Sequence, residues 1–220
     1  MRLNLKSIQK MELKSVKLLI GPLLKGGHEW QYIDINGKEE DKPKFYFSNT
    51  QWVLIIVSTS ILFQLTNGIS KQVIGYIISA FSISVSLFMS LLISIFDKFE
   101  NTSFAKESKT DEEINRLIQK KNYFKRFISI TSYLVVLSIL IIVLCSLTYI
   151  INVSDHIITC NTFTLKWKDI NVLLTLKNFI IVIYRSCLNY FLLNYLLLTF
   201  FITGSAYEYY ISEMDRQKIK

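Results

Sequence analysis

The sequence predicts an all-α integral membrane protein: four transmembrane helices and a small cytoplasmic N-terminal head made of an amphipathic helix and a β-hairpin. Three observations carry that prediction. First, 51% of the 220 residues are hydrophobic and 14% aromatic, with only 7 Gly and 2 Pro, and the mean hydropathy of +0.34 is high for a soluble domain. Second, the apolar residues are bunched into four stretches, 51–65, 73–96, 127–151 and 172–204, and a helix of about 20 such residues crosses the hydrocarbon core of a bilayer. Third, the net charge of +8 is sorted by segment. Disorder, a collagen repeat, a coiled coil and a disulfide scaffold are excluded by the same composition.

The charge distribution sets the expected topology. Residues 1–50 hold nine Lys/Arg against six Asp/Glu, residues 97–126 eight against six, and the tail after Gly204 three against three. The other two loops are nearly bare, with Lys71 alone in 66–72 and Lys166 and Lys168 balanced by Asp155 and Asp169 in 152–171. By the positive-inside rule both termini and the central linker face the cytoplasm. The expected layout is a head at 1–49, a transmembrane hairpin at 50–97, a helical linker at 98–126, a second hairpin at 127–204 and a tail at 205–220. Anionic lipid, rather than nucleic acid, is the expected partner of Lys120, Lys121, Lys125 and Arg126 beside span three. The first 50 residues show no apolar segment with a small-residue cleavage site, so span one is expected to act as its own insertion signal.

In the head, Leu13, Val16, Leu19, Ile20 and Leu23 recur at helical spacing among Lys10, Lys14 and Lys17. This predicts a short basic helix over 11–24, ended by Gly21-Pro22 and released by Gly26-Gly27, lying on the membrane or packed on the protein's own cytoplasmic side. Trp30 and Tyr32, then Phe45 and Phe47, alternate around a turn that begins at Asn36-Gly37, which predicts a hairpin over 29–47. Span one opens with Trp52 as an interfacial aromatic, and Asn67-Gly68 is expected to turn the chain into span two.

Span two places Ser79, Ser82, Ser86, Ser90 and Ser94 on one helical face. Small residues permit close helix approach, so this face is a candidate oligomer seam; the other reading is a polar stripe lining a pore. In the linker, Thr110 and Glu113 fit a capping box, and no Gly or Pro interrupts the chain to Ile151, which predicts one helix from the cytoplasm through span three. Ile114, Leu117, Ile118, Lys120 and Lys121 form a candidate docking surface for a partner, or else pack on the head. Span four is long and contains the two basic residues found within apolar stretches, Lys177 and Arg185. Asn178, Arg185 and Asn189, with Thr199 and Thr203, fall on one face. Arg185 either snorkels at an interface or lines a lumen or intersubunit contact.

Chemistry-bearing patterns are sparse. Cys145, Cys160 and Cys187 have no metal-ligand spacing, and His28 and His156 fall on opposite sides of the expected membrane. Phosphate-cradling glycine loops, nucleophile elbows and helical His pairs are absent from the sequence, as are acidic residues within the four stretches, which argues against proton-coupled transport. No enzyme activity, cofactor, metal or direct nucleic-acid binding is expected.

The Lys/Asn/Ile/Ser-rich composition, four spans, small head and basic linker resemble the membrane subunits of bacterial antiphage systems, most of all that of the Kiwa system. The membrane accessory of type VI-B CRISPR loci and the membrane effectors of retrons look similar. The resemblance is one of architecture, so no functional residue carries over. It implies an inner-membrane homo-oligomer that senses infection at the envelope and recruits or regulates a cytoplasmic protein partner. A pore-forming or depolarising effector, and a channel or transporter subunit without proton coupling, are the alternatives.

Overall fold

In a computed structural model, described for residues 5–39, 47–64, 68–100, 110–151 and 172–216, the described chain is all-helical. Its helices are α1 (Leu5–Glu29), α2 (Asn49–Gln64), α3 (Lys71–Glu100), α4 (Asp111–Ile151) and α5 (Val172–Arg216). Among the described residues α3, α4 and α5 are long and apolar enough to cross a membrane. Among the described residues α2 has 16 residues, a rise of about 24 Å, and Ser48 sets its start. The loop 152–171, with His156 and Cys160, and Asn67 of the expected turn lie outside the described residues.

Helix starts follow local chemistry. Ser48 and Gln51 form a reciprocal capping box for α2, the Ser48 N–H donating to Gln51 Oε1 at 3.0 Å and the Gln51 N–H to Ser48 Oγ at 3.3 Å. Phe47 packs edge-on against Trp52 across this cap, a hydrophobic staple. Ser70 caps α3 through the Val73 N–H. The box predicted for α4 is present, with Thr110 N–H to Glu113 Oε2 at 3.1 Å and Glu113 N–H to Thr110 Oγ1 at 3.4 Å. From there α4 runs unbroken for 41 residues. Beyond the expected end of span four, α5 continues through Gly204 to Arg216.

The chain divides into two compact units, and α3, α4 and α5 contribute to both. Unit 1 comprises Met1–Lys42, Phe88–Leu134 and Ile202–Lys220. Its core stripe on α4, Tyr123, Phe127, Ile130 and Leu134, is buried at steps of four, three and four. Phe99 of α3 packs edge-on against Phe124, and Tyr209 of α5 stacks on Tyr123 with ring centroids 4.0 Å apart. Arg116 of α4 is paired with Glu213 of α5.

Two expectations for the head are corrected here. The predicted end at Gly21-Pro22 and release at Gly26-Gly27 do not occur, and α1 runs through all four to Glu29. Tertiary packing explains the second pair: Gly26 lies against Ser129, and a Cβ on Gly27 would fall 2.5 Å from Tyr133 Cβ. These glycines permit close approach of α1 to α4 rather than ending a helix. The hairpin reduces, among the described residues, to a tight turn closed by one antiparallel bridge between Ile33 and Glu39; residues 40–46 lie outside them. The Gly37 N–H donates to the Asp34 carbonyl and the Asp34 N–H to the Lys38 carbonyl, with Gly37 at φ +81° as this turn requires.

Unit 2 comprises Pro43–Leu87 and Val135–Phe201. Here the α4 stripe is Leu137, Ile141, Cys145 and Thr148. Tyr149 of α4 donates to the Lys71 carbonyl at the start of α3 at 2.7 Å, and Phe81 of α3 packs on Tyr195 of α5 at 4.6 Å.

The glycine contacts predict opposite responses. Gly27→Ala drives a methyl into the Tyr133 side chain at its Cβ and Cγ and lowers the thermal midpoint of the detergent-solubilised protein by the equivalent of about 1–3 kcal/mol. Gly204→Ala, where a Cβ meets nothing within 4 Å, raises the midpoint by up to ~1 kcal/mol through helix propensity. Equal midpoints for the two variants would remove the close-approach argument.

Candidate functional site

The described residues contain no cluster of His, Cys, Asp or Glu able to hold a metal ion. Two groupings carry the candidate residues, one in each unit.

In unit 2 a set of polar side chains on α2, α4 and α5 turns inward. Ser58 of α2 is fully buried and donates to the Ser186 carbonyl of α5 at 2.7 Å. Thr59 Oγ1 lies 3.3 Å from Ser186 Oγ and also donates to the Ile55 carbonyl. The Tyr184 hydroxyl, two residues before Ser186, donates to the Leu144 carbonyl of α4 and lies 3.0 Å from Thr148 Oγ1. Tyr184 therefore ties α5 to α4, and Ser186 ties α5 to α2. Arg185, between them in sequence, is 8% exposed and Asn178 is 1% exposed. A cation buried this deeply is costly unless polar groups surround it, which separates this position from ordinary surface basic residues.

Of the predicted polar face, Asn178 and Arg185 are buried, Asn189 is half-buried and Thr203 is exposed. Asn194 is also buried, at 2%, together with Leu198. At 100° per residue this pair lies roughly 140° around α5 from the Asn178, Ile181, Arg185, Leu188 stripe. Helix α5 therefore changes its buried face along its length. A single-face reading of the sequence misses Asn194 for that reason. The run Ser58-Thr59-Ser60 in an otherwise apolar segment was the available signal for the α2 contact.

The five serines of α3 lie on its exposed side. The α3 side chain that is buried, Ile74, is on the opposite face, and the large exposed residues Tyr76, Ile83, Leu87 and Ile93 flank the serines. Ser79 Oγ donates to the Gly75 carbonyl at 3.1 Å, Ser82 to Ile78 at 2.8 Å and Ser86 to Ser82 at 3.4 Å. Bonding back to the preceding turn satisfies these hydroxyls without water.

In unit 1 the predicted docking residues are divided. Ile114 and Leu117 are half-buried, Ile118 is 42% exposed, Lys120 is half-buried and Lys121 is exposed. The turn of the head docks on the next face of α4: Gln119 donates to Asn36 Oδ1 at 2.8 Å and Asn122 to the Ile35 carbonyl at 3.2 Å, while Lys125 sits over the Trp30 ring. Partial burial, together with Lys98 and Arg116 nearby, holds the Lys120 ammonium below its ordinary value. Burial, with Tyr210 and Tyr209 adjacent, pushes the Tyr123 phenol above its own. On α5, Tyr207, Tyr210, Ile211 and Met214 are all exposed at i, i+3, i+4 and i+7. This apolar stripe was legible as spacing but fell past Gly204, where the span was expected to end.

The chain matches no family model, no curated protein and no solved structure.

The inward bonds of unit 2 predict modest, local costs. Tyr184→Phe removes the hydroxyl that reaches Leu144 and Thr148 and lowers stability by about 1 kcal/mol. Ser60→Ala, an exposed hydroxyl bonded within its own helix to Ile56, changes it by less than ~0.5 kcal/mol. Thermal unfolding of the purified protein in detergent measures both.

Proposed function

We propose that this chain is a multi-pass inner-membrane component of an antiphage defence system, similar in kind to the Kiwa membrane subunit, that senses infection at the membrane and recruits or regulates a cytoplasmic partner. In this reading all four apolar helices cross, both termini are cytoplasmic, and unit 1 is the soluble-facing part. The protein is a non-enzymatic scaffold without a cofactor.

The observation that supports the reading is shared scaffolding. The helices that carry the apolar segments, α3, α4 and α5, also supply about half of unit 1, and the turn of the head is docked on α4 within that unit. The α5 stripe at Tyr207, Tyr210, Ile211 and Met214 is exposed and offers a partner an apolar surface in unit 1, and Ile118 and Lys121 of α4 are exposed in the same unit. The serine face of α3 is the proposed seam between copies, since the Ser79, Ser82 and Ser86 hydroxyls bond within the helix and the small side chains admit a second backbone.

Reporter fusions at Lys109 and Lys220 should read cytoplasmic and one at Ser154 external; a cytoplasmic reading at Ser154 breaks the four-span topology. Ser86→Leu with Ser90→Leu should reduce the mass of the detergent-solubilised assembly, and an unchanged mass rejects the seam. Charge reversal at Lys120 and Lys121 should abolish phage protection while insertion persists, because Lys125 and Arg126 remain beside span three. Arg185→Gln should leave protection and membrane potential unchanged. The opposite pattern, with Arg185→Gln abolishing protection and the lysine reversal silent, replaces the scaffold with a pore.

A further inference from the structure

We propose that residues 18–24 of α1 are embedded in the lipid leaflet beside α4, as an interfacial anchor whose partner is anionic phospholipid. The inference deepens the membrane reading and rests on it, but is independent of any role in defence. Its starting point is a stretch of seven uncharged residues, Leu18, Leu19, Ile20, Gly21, Pro22, Leu23 and Leu24, held between Lys17 and Lys25. Leu18, Leu19 and Ile20 are 65%, 75% and 37% exposed. Consecutive helical residues point about 100° apart, so these three leave the helix in three different directions. The segment is therefore apolar and open around most of its circumference, which distinguishes it from a one-sided amphipathic helix packed on protein.

The seat of α1 sets its depth. Gly26 and Gly27 lie against Ser129 and Tyr133, near the start of the apolar stretch 127–151 of α4. Those 25 residues rise roughly 37 Å, whereas the hydrocarbon core takes ~30 Å. The first few therefore lie in the interfacial layer, where monotopic helices settle. Leu19 is seven residues from Gly26, within about 11 Å of that seat along the helix axis. The surroundings have the chemistry of an interface: Lys17 and Lys25 are exposed at the two ends, and Trp30 lies under Lys125. Long basic side chains reach phosphate headgroups from such a position while their stems cover apolar surface. Lipid also accounts for the persistence of helix across Gly21 and Pro22, residues of low intrinsic helix propensity, because outside water the backbone must bond to itself.

The test uses the full chain reconstituted in vesicles of phosphatidylcholine and phosphatidylglycerol, with an environment-sensitive fluorescent amino acid encoded at position 19, 38 or 140. Lipid brominated near the headgroup should quench the probe at 19 at least threefold more than the probe at 38, which sits in the exposed turn. Deeply brominated lipid should quench the probe at 140 on the apolar half of α4. Quenching at 140 with an aqueous, iodide-accessible probe at 19 overturns the anchor while the membrane reading stands. A probe at 19 shielded from both iodide and brominated lipid is covered by protein, which also overturns it. Absence of lipid quenching at both 19 and 140 removes the membrane reading and the anchor with it.

Discussion

The structure depends on one element, the unbroken helix α4, and on the regularity of its buried stripe. From Tyr123 to Thr148 its inward residues recur at steps of three and four, with no Gly or Pro to interrupt them. In unit 1 this stripe and its flanks receive α1 at Ser129 and Tyr133, α3 at Phe124, α5 at Tyr123 and Arg116, and the turn of the head at Gln119 and Asn122. In unit 2 the same helix receives α5 at Thr148 and α3 at Tyr149. An α-helix offers successive docking faces only while its backbone stays regular, so a break in α4 would disturb the contacts of the unit in which it falls.

The two units are held by different chemistry. Unit 1 is cemented by aromatic rings and by an ion pair between side chains that are partly exposed, an arrangement suited to water on its outer surface. Unit 2 relies on hydroxyls that bond to backbone carbonyls of neighbouring helices, Ser58 to Ser186 and Tyr184 to Leu144. Where both folded and dispersed helices sit among apolar groups, hydrophobic burial separates them poorly, and packing with interhelical hydrogen bonds carries more of the specificity. Tyr184 and Ser186 direct α5 toward two different neighbours, and the buried Arg185 lies between them. The pore and scaffold readings diverge at this residue, because an arginine there either meets a hydrated lumen or serves the packing of three helices.

A surface that is apolar on the outside has two meanings in this molecule. On α3 the outward face mixes serines with Ile83, Leu87 and Ile93, a composition compatible with lipid and with a second backbone. On α5 the Tyr207 to Met214 stripe follows the helical repeat while Tyr209 and Glu213 on the other side hold α4. That division of labour leaves one face of the helix packed on α4 and the other apolar and open.

The sequence by itself determined the helical class, the long apolar segments and the beginning of α4, because these follow from local composition and from side chains reaching backbone groups three residues away. Thr110 and Glu113 could be read as a cap without knowing any neighbour. The fate of Gly26 and Gly27 could not: locally they favour a chain break, and only the proximity of Tyr133 makes them sites of helix contact. Pro22 likewise sits inside α1 against its own propensity, and the aromatic alternation after Trp30 is reduced among the described residues to one bridge docked on Gln119 and Asn122. On α5, periodicity gathers Asn178, Arg185 and Asn189 on one face, yet the helix changes its buried side along its length and buries Asn194 on another. Local rules act over three or four residues, whereas the choice of which face is buried belongs to whichever helix lies against it, and that only the tertiary structure decided.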